Sequence, residues 1–377
     1  MNKFKNSIQS ILGSGEIHFF WKGRVALYSL LKSCGVKDGD EVILPAFTCV
    51  VVPNAIKYLG ATPVYVDIER DSMCASMESI RYSITEKTKA IVCQNTFGLS
   101  YQLEEIVSLA KENNITTIED CTHGFGGLYK GKPNGTWCDA SFFSTQWNKP
   151  FSTGVGGFSL VNSKERFPNF AKIAEDCIAP SFKEKAVLWF LLFTRKKFLR
   201  DWNYWKLVQL YRWMSKLGIL VGSSKSEELS GTDMPSSYLM KMSGVQYNAG
   251  NFALKEFSEI NEKRKRNANA YGEWLKNHDK YYVLEKYQED HLFLKYPVLT
   301  DNRDQLFLSA EKEEVPLGDW FLSPIHPVVD QFEKWDLDIN RYNNAKYLSQ
   351  RVVNLPTDVD DVNKVLSFLE RHKDLLI

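Results

Sequence analysis

Residues 88–120 read TKAIVCQNTFGLSYQLEEIVSLAKENNITTIED, and this stretch decides the fold class. Thr88 to Cys93 is a short apolar run of strand type, Leu103 to Glu112 has the period of a helix, and Ile115 to Asp120 is a second strand. Strand, helix, strand in that order is the repeating unit of a parallel sheet covered by helices. The same alternation extends upstream, with a helix over Arg24–Leu31, a strand over Glu41–Leu44 ending at Pro45, a helix from Cys49 to Leu59 and a strand over Pro63–Asp67. Downstream come strands at Ala140–Ser144 and Gly157–Val161, the second entered through the glycine-rich GVGG at 154–157. The chain is therefore expected to be an α/β protein with a mostly parallel sheet, whose ligands collect at the carboxyl ends of the strands.

Composition narrows the function classes. At 377 residues, 44% hydrophobic and 25% charged, the chain is long enough for two domains and too apolar for disorder. A net charge of +1 gives no global attraction for nucleic acid, so no nucleic-acid partner is expected. Seven cysteines (34, 49, 74, 93, 121, 138 and 177) lie scattered, with no CxxC pair and no ligand-spaced histidines; they read as buried thiols in a reducing compartment, with no metal. The start MNKFKNSIQSILGSGE lacks a sustained apolar core and a cleavage site, which points to the cytoplasm. The longest apolar run, Ala186 to Phe193, is far short of the about 20 residues a bilayer crossing needs.

One segment departs from the neutral background. From Phe182 to Lys216 there are nine basic residues (including Arg195, Lys196, Lys197, Arg200, Lys206 and Arg212) against Glu184 and Asp201, a local charge of +7 that leaves the rest at −6. It also holds Trp189, Trp202, Trp205 and Trp213, four of the ten tryptophans. As structure it reads as a helical pair with solvated charges; as function, a basic surface with interfacial tryptophans would hold the protein at an anionic membrane leaflet, or grip an anionic sugar nucleotide. Beyond Gly231, Tyr247 to Lys276 reads as one long helix bridging into a smaller α+β domain. There His291–Pro297 is strand-like, Arg303–Glu311 helical and Val359–His372 a closing helix. The expected division is 1–248, carrying the basic segment at 180–221, and 249–377.

Chemistry gathers at two strand ends. Asp120 and His123 stand three residues apart after one strand, and Ser144 and Lys149 follow another, just before the glycine-rich turn. A lone lysine is usually solvated and a lone aspartate often a helix cap. Together they suit an aldehyde cofactor: a partly desolvated lysine forms a Schiff base, and an aspartate facing a pyridine nitrogen keeps the ring an electron sink.

The stretches GDEVILPAFT (39–48), YLGATPVYVDI (58–68), ITEKTKAIV (84–92), EDCTHGFG (119–126), FFSTQWNKPFSTGVGG (142–157) and SQRVVNLPTD (349–358) resemble, in this order, the DegT/DnrJ/EryC1/StrS family of pyridoxal-phosphate (PLP) sugar aminotransferases. The resemblance implies a fold-type I PLP-dependent transferase and a homodimer with shared sites. It implies that Lys149 forms the internal aldimine and shuttles the proton, that Asp120 pairs with the pyridine nitrogen, and that His123 lies near the phenolic oxygen. Ser144 would bind the phosphate together with backbone N–H groups of a helix start at Gly23, Arg24 and Val25. The implied reaction moves an amino group from an amino acid, by analogy glutamate, to a keto group of a nucleotide-linked sugar for a surface polysaccharide such as O-antigen, lipopolysaccharide or capsule. The alternatives are a sugar dehydratase of the same fold, against which Lys149 argues because a histidine replaces it there, and an inactive cofactor-binding or assembly protein.

Three departures from the family pattern stand out. Arg24 occupies a position usually held by a small hydroxyl residue, and its guanidinium suits direct phosphate binding, with a carboxylate partner as the competing reading. Cys49 stands where the family commonly has a ring-stacking aromatic, which leaves Phe47 or Phe97 to cover the cofactor. The stretch SSYLMKMS (236–243) has no asparagine where the family's reaches the neighbouring subunit's phosphate.

Overall fold

The structure is a computed structural model that describes residues 1–198, 226–287 and 291–377. Its centre is a seven-stranded sheet. In chain order the strands are β1 (Glu16–Phe20), β2 (Glu41–Pro45), β4 (Thr62–Val66), β5 (Thr88–Gln94), β6 (Thr116–Asp120), β9 (Ala140–Ser144) and β10 (Gly157–Val161), in spatial order β1-β10-β9-β6-β5-β2-β4. Short pairs supply the remaining early strands: β3 (Thr48–Cys49), β7 (Leu128–Tyr129) and β8 (Lys132–Pro133). β2, β4, β5, β6 and β9 pair in parallel, and β10 alone runs opposite to its two neighbours β9 and β1. β6, β9 and β10 are buried at every position, as strands sandwiched between helical layers must be, which is why their sequences show no strict apolar/polar alternation.

Register aligns the strand ends. Gln94 is opposite Asp120 in the β5–β6 pair and Asp120 is opposite Phe142 in β6–β9, so the carboxyl ends open onto one edge. Helices α1 (Asn2–Leu12) and α2 (Gly23–Ser33) flank the N-terminal strand, and α3 (Val51–Lys57), α4 (Met77–Ser83) and α5 (Leu103–Glu112) connect the early strands. α5 buries Leu103, Ile106, Leu109 and Ala110, one face at helical spacing. After β10 follow α6 (Phe170–Asp176) and α7 (Phe182–Phe198).

The remaining described elements are α8 (Ser226–Ser230), α9 (Gly244–Ala253), α10 (Phe257–Asn277), β11 (Lys295–Leu299), α11 (Arg303–Lys312), β12 (Ile325–His326), α12 (Asn343–Arg351), β13 (Val352–Pro356) and α13 (Val362–Arg371). β11 and β13 pair antiparallel and pack with α10 and α13 around Tyr271, Tyr296, Val298, Leu355 and Phe368, a second core.

Four expectations are corrected. The helix expected from Cys49 begins only at Val51, because Thr48 and Cys49 form a parallel bridge with Ile325 and His326. The Thr48 N–H donates to Pro324 O (2.8 Å) and the Val50 N–H to His326 O (2.9 Å), a pairing that no local pattern announces. The single helix expected over 247–276 is two, α9 and α10, broken at 254–256. A Ser243–Gln246 capping box starts α9, and Gly250 lets the ring of Phe4 lie where a Cβ would be 2.3 Å away, which ties α9 to α1, while α10 turns to the second core. We propose the division between the two cores at that break, since α9 itself runs across position 248. The strand expected at 291–297 is Lys295–Leu299; the preceding residues are held on the first core by the Leu294 N–H donating to Phe97 O (2.9 Å). The closing helix is Val362–Arg371, started by Asp361 accepting from the Lys364 N–H. α1 and β1 precede the alternating region and are not expected from it.

All seven cysteines are free thiols. On α7 Phe182, Trp189 and Phe190 are 84%, 57% and 58% exposed. Lys206, Arg212, Lys216, Trp202, Trp205 and Trp213 of the basic segment, with Arg200 and Asp201, lie outside the described residues. Among the described residues no helix is long and apolar enough to cross a membrane.

The start of α2 lies against β9 and β10 with almost no clearance. A Cβ on Gly157 would meet Gly23 Cα at 2.2 Å and Gly23 N at 2.3 Å, both backbone atoms. Gly157→Ala is therefore expected to destabilise the protein by about 2–4 kcal/mol in urea unfolding, whereas Gly231→Ala, with nothing within 4 Å of its Cβ, changes stability little. Equal midpoints for the two variants would contradict the packing described.

Candidate active site

Asp120 is the last residue of β6 and is buried. Its Oδ1 accepts the Thr122 N–H at 3.0 Å. Burial raises its pKa, opposed by Thr122 and by the positive charge of Lys149. Glu119, one residue earlier and equally buried, accepts from Asn95 Nδ2 (3.2 Å) and the Trp137 N–H (3.3 Å) and so ties loops together.

His123 is buried, and its Nδ1 accepts the Phe97 N–H at 3.2 Å. A nitrogen that accepts carries no proton, so in the neutral ring the proton sits on Nε2. Burial, with the charge of Lys149, holds the His123 pKa well below the ordinary histidine value, so the ring is neutral and its Nε2–H is a donor.

Lys149 sits in the turn between β9 and β10, half-buried. Burial lowers its pKa from 10.5 to about 8; Cys49 and Asp120 pull it up, and Arg24 and Lys295 push it further down. Cys49 in turn has a pKa raised by burial and interacts electrostatically with Arg24, Lys149 and Asp120. Asp120, His123, Lys149, Cys49 and Arg24 are thus one electrostatic cluster at the carboxyl ends of the strands.

Ser144 closes β9 and faces the start of α2: a Cβ on Gly23 would be 2.8 Å from Phe143 O and 3.1 Å from Ser144 Cα and Cβ. The N-cap residue, Lys22, makes no side-chain capping hydrogen bond to that helix start. The Val25 N–H already donates to Lys22 O at 3.2 Å, which makes Val25 the weakest of the three expected backbone donors. Gln246 holds the assembly from behind, its Nε2 donating to Val155 O (2.7 Å) and Trp21 O (3.2 Å).

Arg24 is buried, and its Nη1 donates to Glu228 Oε1 at 2.5 Å, the carboxylate reading of this residue. Glu228 in α8 is 204 residues away in sequence, which no local pattern could connect. Phe47 and Phe97 are fully buried and pack on Phe321, at 5.1 and 5.7 Å between centroids. Phe97 also lies nearly parallel to His123 at 6.2 Å, but Phe47 is spent on the core.

Trp320 and His326 complete the cluster and were not singled out from the sequence. The Trp320 ring is parallel to the His123 ring (4.7 Å, 3°), and Lys149 Nζ lies 4.2 Å from the Trp320 centroid. His326, opposite Cys49 in the β3–β12 bridge, has a pKa lowered to about 4 by burial, with Lys149 and Arg303 acting the same way. The only sequence signal was an aromatic pair, Trp320-Phe321, just before SPIHP (323–327), which by itself reads as a turn. Among the described residues no group of three or more His, Cys, Asp or Glu is placed to hold a metal.

The profile of the DegT/DnrJ/EryC1/StrS aminotransferase family matches residues 1–186 and 203–367. GDP-perosamine synthase of Escherichia coli O157:H7 is 46% identical over 142 residues, covering 38% of this chain and 39% of that protein. L-glutamine:2-deoxy-scyllo-inosose aminotransferase of Streptomyces lividus is 33% identical over 143 residues, 38% of this chain and 34% of that protein. The chain thus matches about two-fifths or less of the length of these relatives. Among solved structures, the sugar aminotransferase Spr1654 of Streptococcus pneumoniae, described as putative, superposes in its PMP form with a TM-score of 0.75 at 18% identity, over 99% of this chain and 91% of that one. That likeness shows the fold, with its mostly parallel central sheet.

The depressed Lys149 pKa has a consequence for stability. Between about pH 8 and pH 10.5 the unfolded chain holds a proton on this lysine that the folded chain has released. Stability of the cofactor-free protein therefore gains a contribution as pH rises through that window and lacks it below. Lys149→Met is expected to remove this gain and to stabilise the protein by about 1–2 kcal/mol at neutral pH. Urea unfolding of both proteins at neutral pH and near the top of the window checks this; a constant difference between them would contradict it.

Proposed function

The chain belongs to the DegT/DnrJ/EryC1/StrS aminotransferase family, and from that premise we propose that it is a PLP-dependent aminotransferase that carries an amino group from an amino acid to a keto group of a nucleotide-linked sugar. The observation that carries the reading is Lys149, an amine lowered to about 8 in one cluster with the buried Asp120 and the neutral His123. The donor set fits PLP: an amine, a carboxylate for a pyridine nitrogen, an N–H for a phenolic oxygen, and a glycine-lined helix start beside a serine for a phosphate.

PLP supplies, when bound, an aldehyde that condenses with amines and a ring that takes up the electron pair left when a C–H bond of the bound amine breaks. Lys149 anchors the cofactor through Nζ. As a free amine the same Nζ would take the proton from the donor's α-carbon and later give one to the sugar carbon that receives nitrogen. Its lowered pKa keeps a larger share of the amine unprotonated near neutral pH than an ordinary lysine has. Asp120 would keep the pyridine nitrogen protonated, and the Nε2–H of His123 would be the donor for the phenolic oxygen. Gly23 and Ser144 hold the phosphate. Arg24 adds positive charge near it, reduced by Glu228.

The nucleotide-linked sugar substrate is supported by the relatives named GDP-perosamine synthase, while its use in surface polysaccharide and the second subunit rest on the family resemblance. Glutamate is the proposed donor, with glutamine as the competitor to test because three relatives are named for it. In single turnover the PLP-loaded protein is expected to convert glutamate to its keto acid, and Lys149→Ala to slow this by at least about 100-fold. Turnover by Lys149→Ala at the wild-type rate, or none by the wild type with either donor, would overturn the proposal.

In this reading the protein works on the cytoplasmic side of the envelope, and we propose a peripheral contact with anionic lipid through residues 182–216. It is supported by the exposed Phe182, Trp189 and Phe190 beside Arg195, Lys196 and Lys197, and by the family match breaking between 187 and 202. Co-sedimentation with anionic vesicles, lost at high salt and absent with neutral vesicles, is expected; equal recovery in both supernatants would remove the contact from the account.

A further inference from the structure

Among the described residues the large sheet offers the site no ring outside its buried core. Cys49 has no ring, and Phe47, fully buried against Phe97 and Phe321, cannot leave the core without opening it. The ring that reaches the reactive groups is Trp320, from the loop between α11 and β12. It is half-buried, parallel to His123 at 4.7 Å and with Lys149 Nζ 4.2 Å from its centroid. One indole therefore touches the imidazole assigned to the phenolic oxygen and the amine assigned to the aldehyde.

Its backbone is fixed from the second core. The Trp320 N–H donates to Asn354 Oδ1 at 2.9 Å, and Gly318 and Asn354 exchange two backbone hydrogen bonds of 2.8 and 3.0 Å. Asn354 is buried in β13, and a Cβ on Gly318 would sit 3.1 Å from the Asn354 side chain, so the loop is seated on the strand. A loop held at that point presents its aromatic ring with little freedom, which is what a positioning residue requires.

We propose that Trp320 is the aromatic wall of this site, a positioning residue that orients Lys149 and His123 and covers the cofactor ring in place of the aromatic missing at Cys49. The indole face is electron-rich. It attracts the Lys149 ammonium, and it would equally attract a pyridine ring kept protonated by Asp120. The inference rests on the function proposed above, because it assigns Trp320 to the PLP of that reading.

The test uses the full chain reconstituted with PLP, as wild type, Trp320→Ala and Trp320→Phe. Trp320→Ala is expected to weaken PLP retention about tenfold and to shift the pH at which the bound cofactor's visible absorption changes, while Trp320→Phe recovers most of both. A residue that served only the fold would leave that pH midpoint where it is. Since Trp320→Ala could unfold the loop, quenching of tryptophan fluorescence on PLP addition is read in Trp320→Phe as well. That variant is expected to lose a distinct part of the quenching with an unchanged unfolding midpoint. Wild-type affinity and pH midpoint in Trp320→Ala, or full quenching in Trp320→Phe, would overturn the Trp320 assignment alone. A wild-type protein that takes up no PLP would overturn the function and the assignment together.

Discussion

A contact between two glycines, Gly23 at the start of α2 and Gly157 at the start of β10, sets the geometry on which the site depends. Neither has room for a methyl group. Their contact brings the start of α2 against Ser144, at the point where β9 stops. Any side chain at either position would push the helix off the sheet and separate the helix start from Ser144. Gln246 reinforces the arrangement by bonding both the chain entering α2, at Trp21, and the glycine turn, at Val155.

Around that frame, desolvation sets the protonation states. The same burial lowers the pKa of Lys149, drives His123 to neutrality and raises the pKa of Asp120. The groups also act on one another: Lys149 opposes protonation of His123 and favours ionisation of Asp120. The second core contributes too, because Asn354 of β13 holds the backbone of Trp320, while the bridge between Thr48–Cys49 and Ile325–His326 brings that loop to the strand ends. The site is consequently built from both cores, and no single segment contains it.

Much of this was legible in the sequence because it is local. Local patterns mark β9, β10 and α5 to the residue, and β6 to within one. Lys149 and Asp120 stand out because a charged residue at the end of a buried strand needs an account. What escaped depends on pairings across long separations. Cys49 belongs to a strand only because residues 325–326 lie beside it. Arg24 meets Glu228 across 204 residues. The break at 254–256 follows from α9 and α10 packing on different partners, which helical periodicity alone cannot register. Trp320 had no signal of its own, since an aromatic residue in a loop is ordinary until its neighbours are known.

We propose Lys149, made a usable amine by its surroundings, as the attachment point for the cofactor. The most direct measurement is borohydride reduction of the PLP-loaded chain followed by peptide mapping by mass. One pyridoxyl-modified peptide, containing Lys149, is expected. Modification at another lysine such as Lys295, or spread over surface lysines with Lys149 untouched, would contradict it.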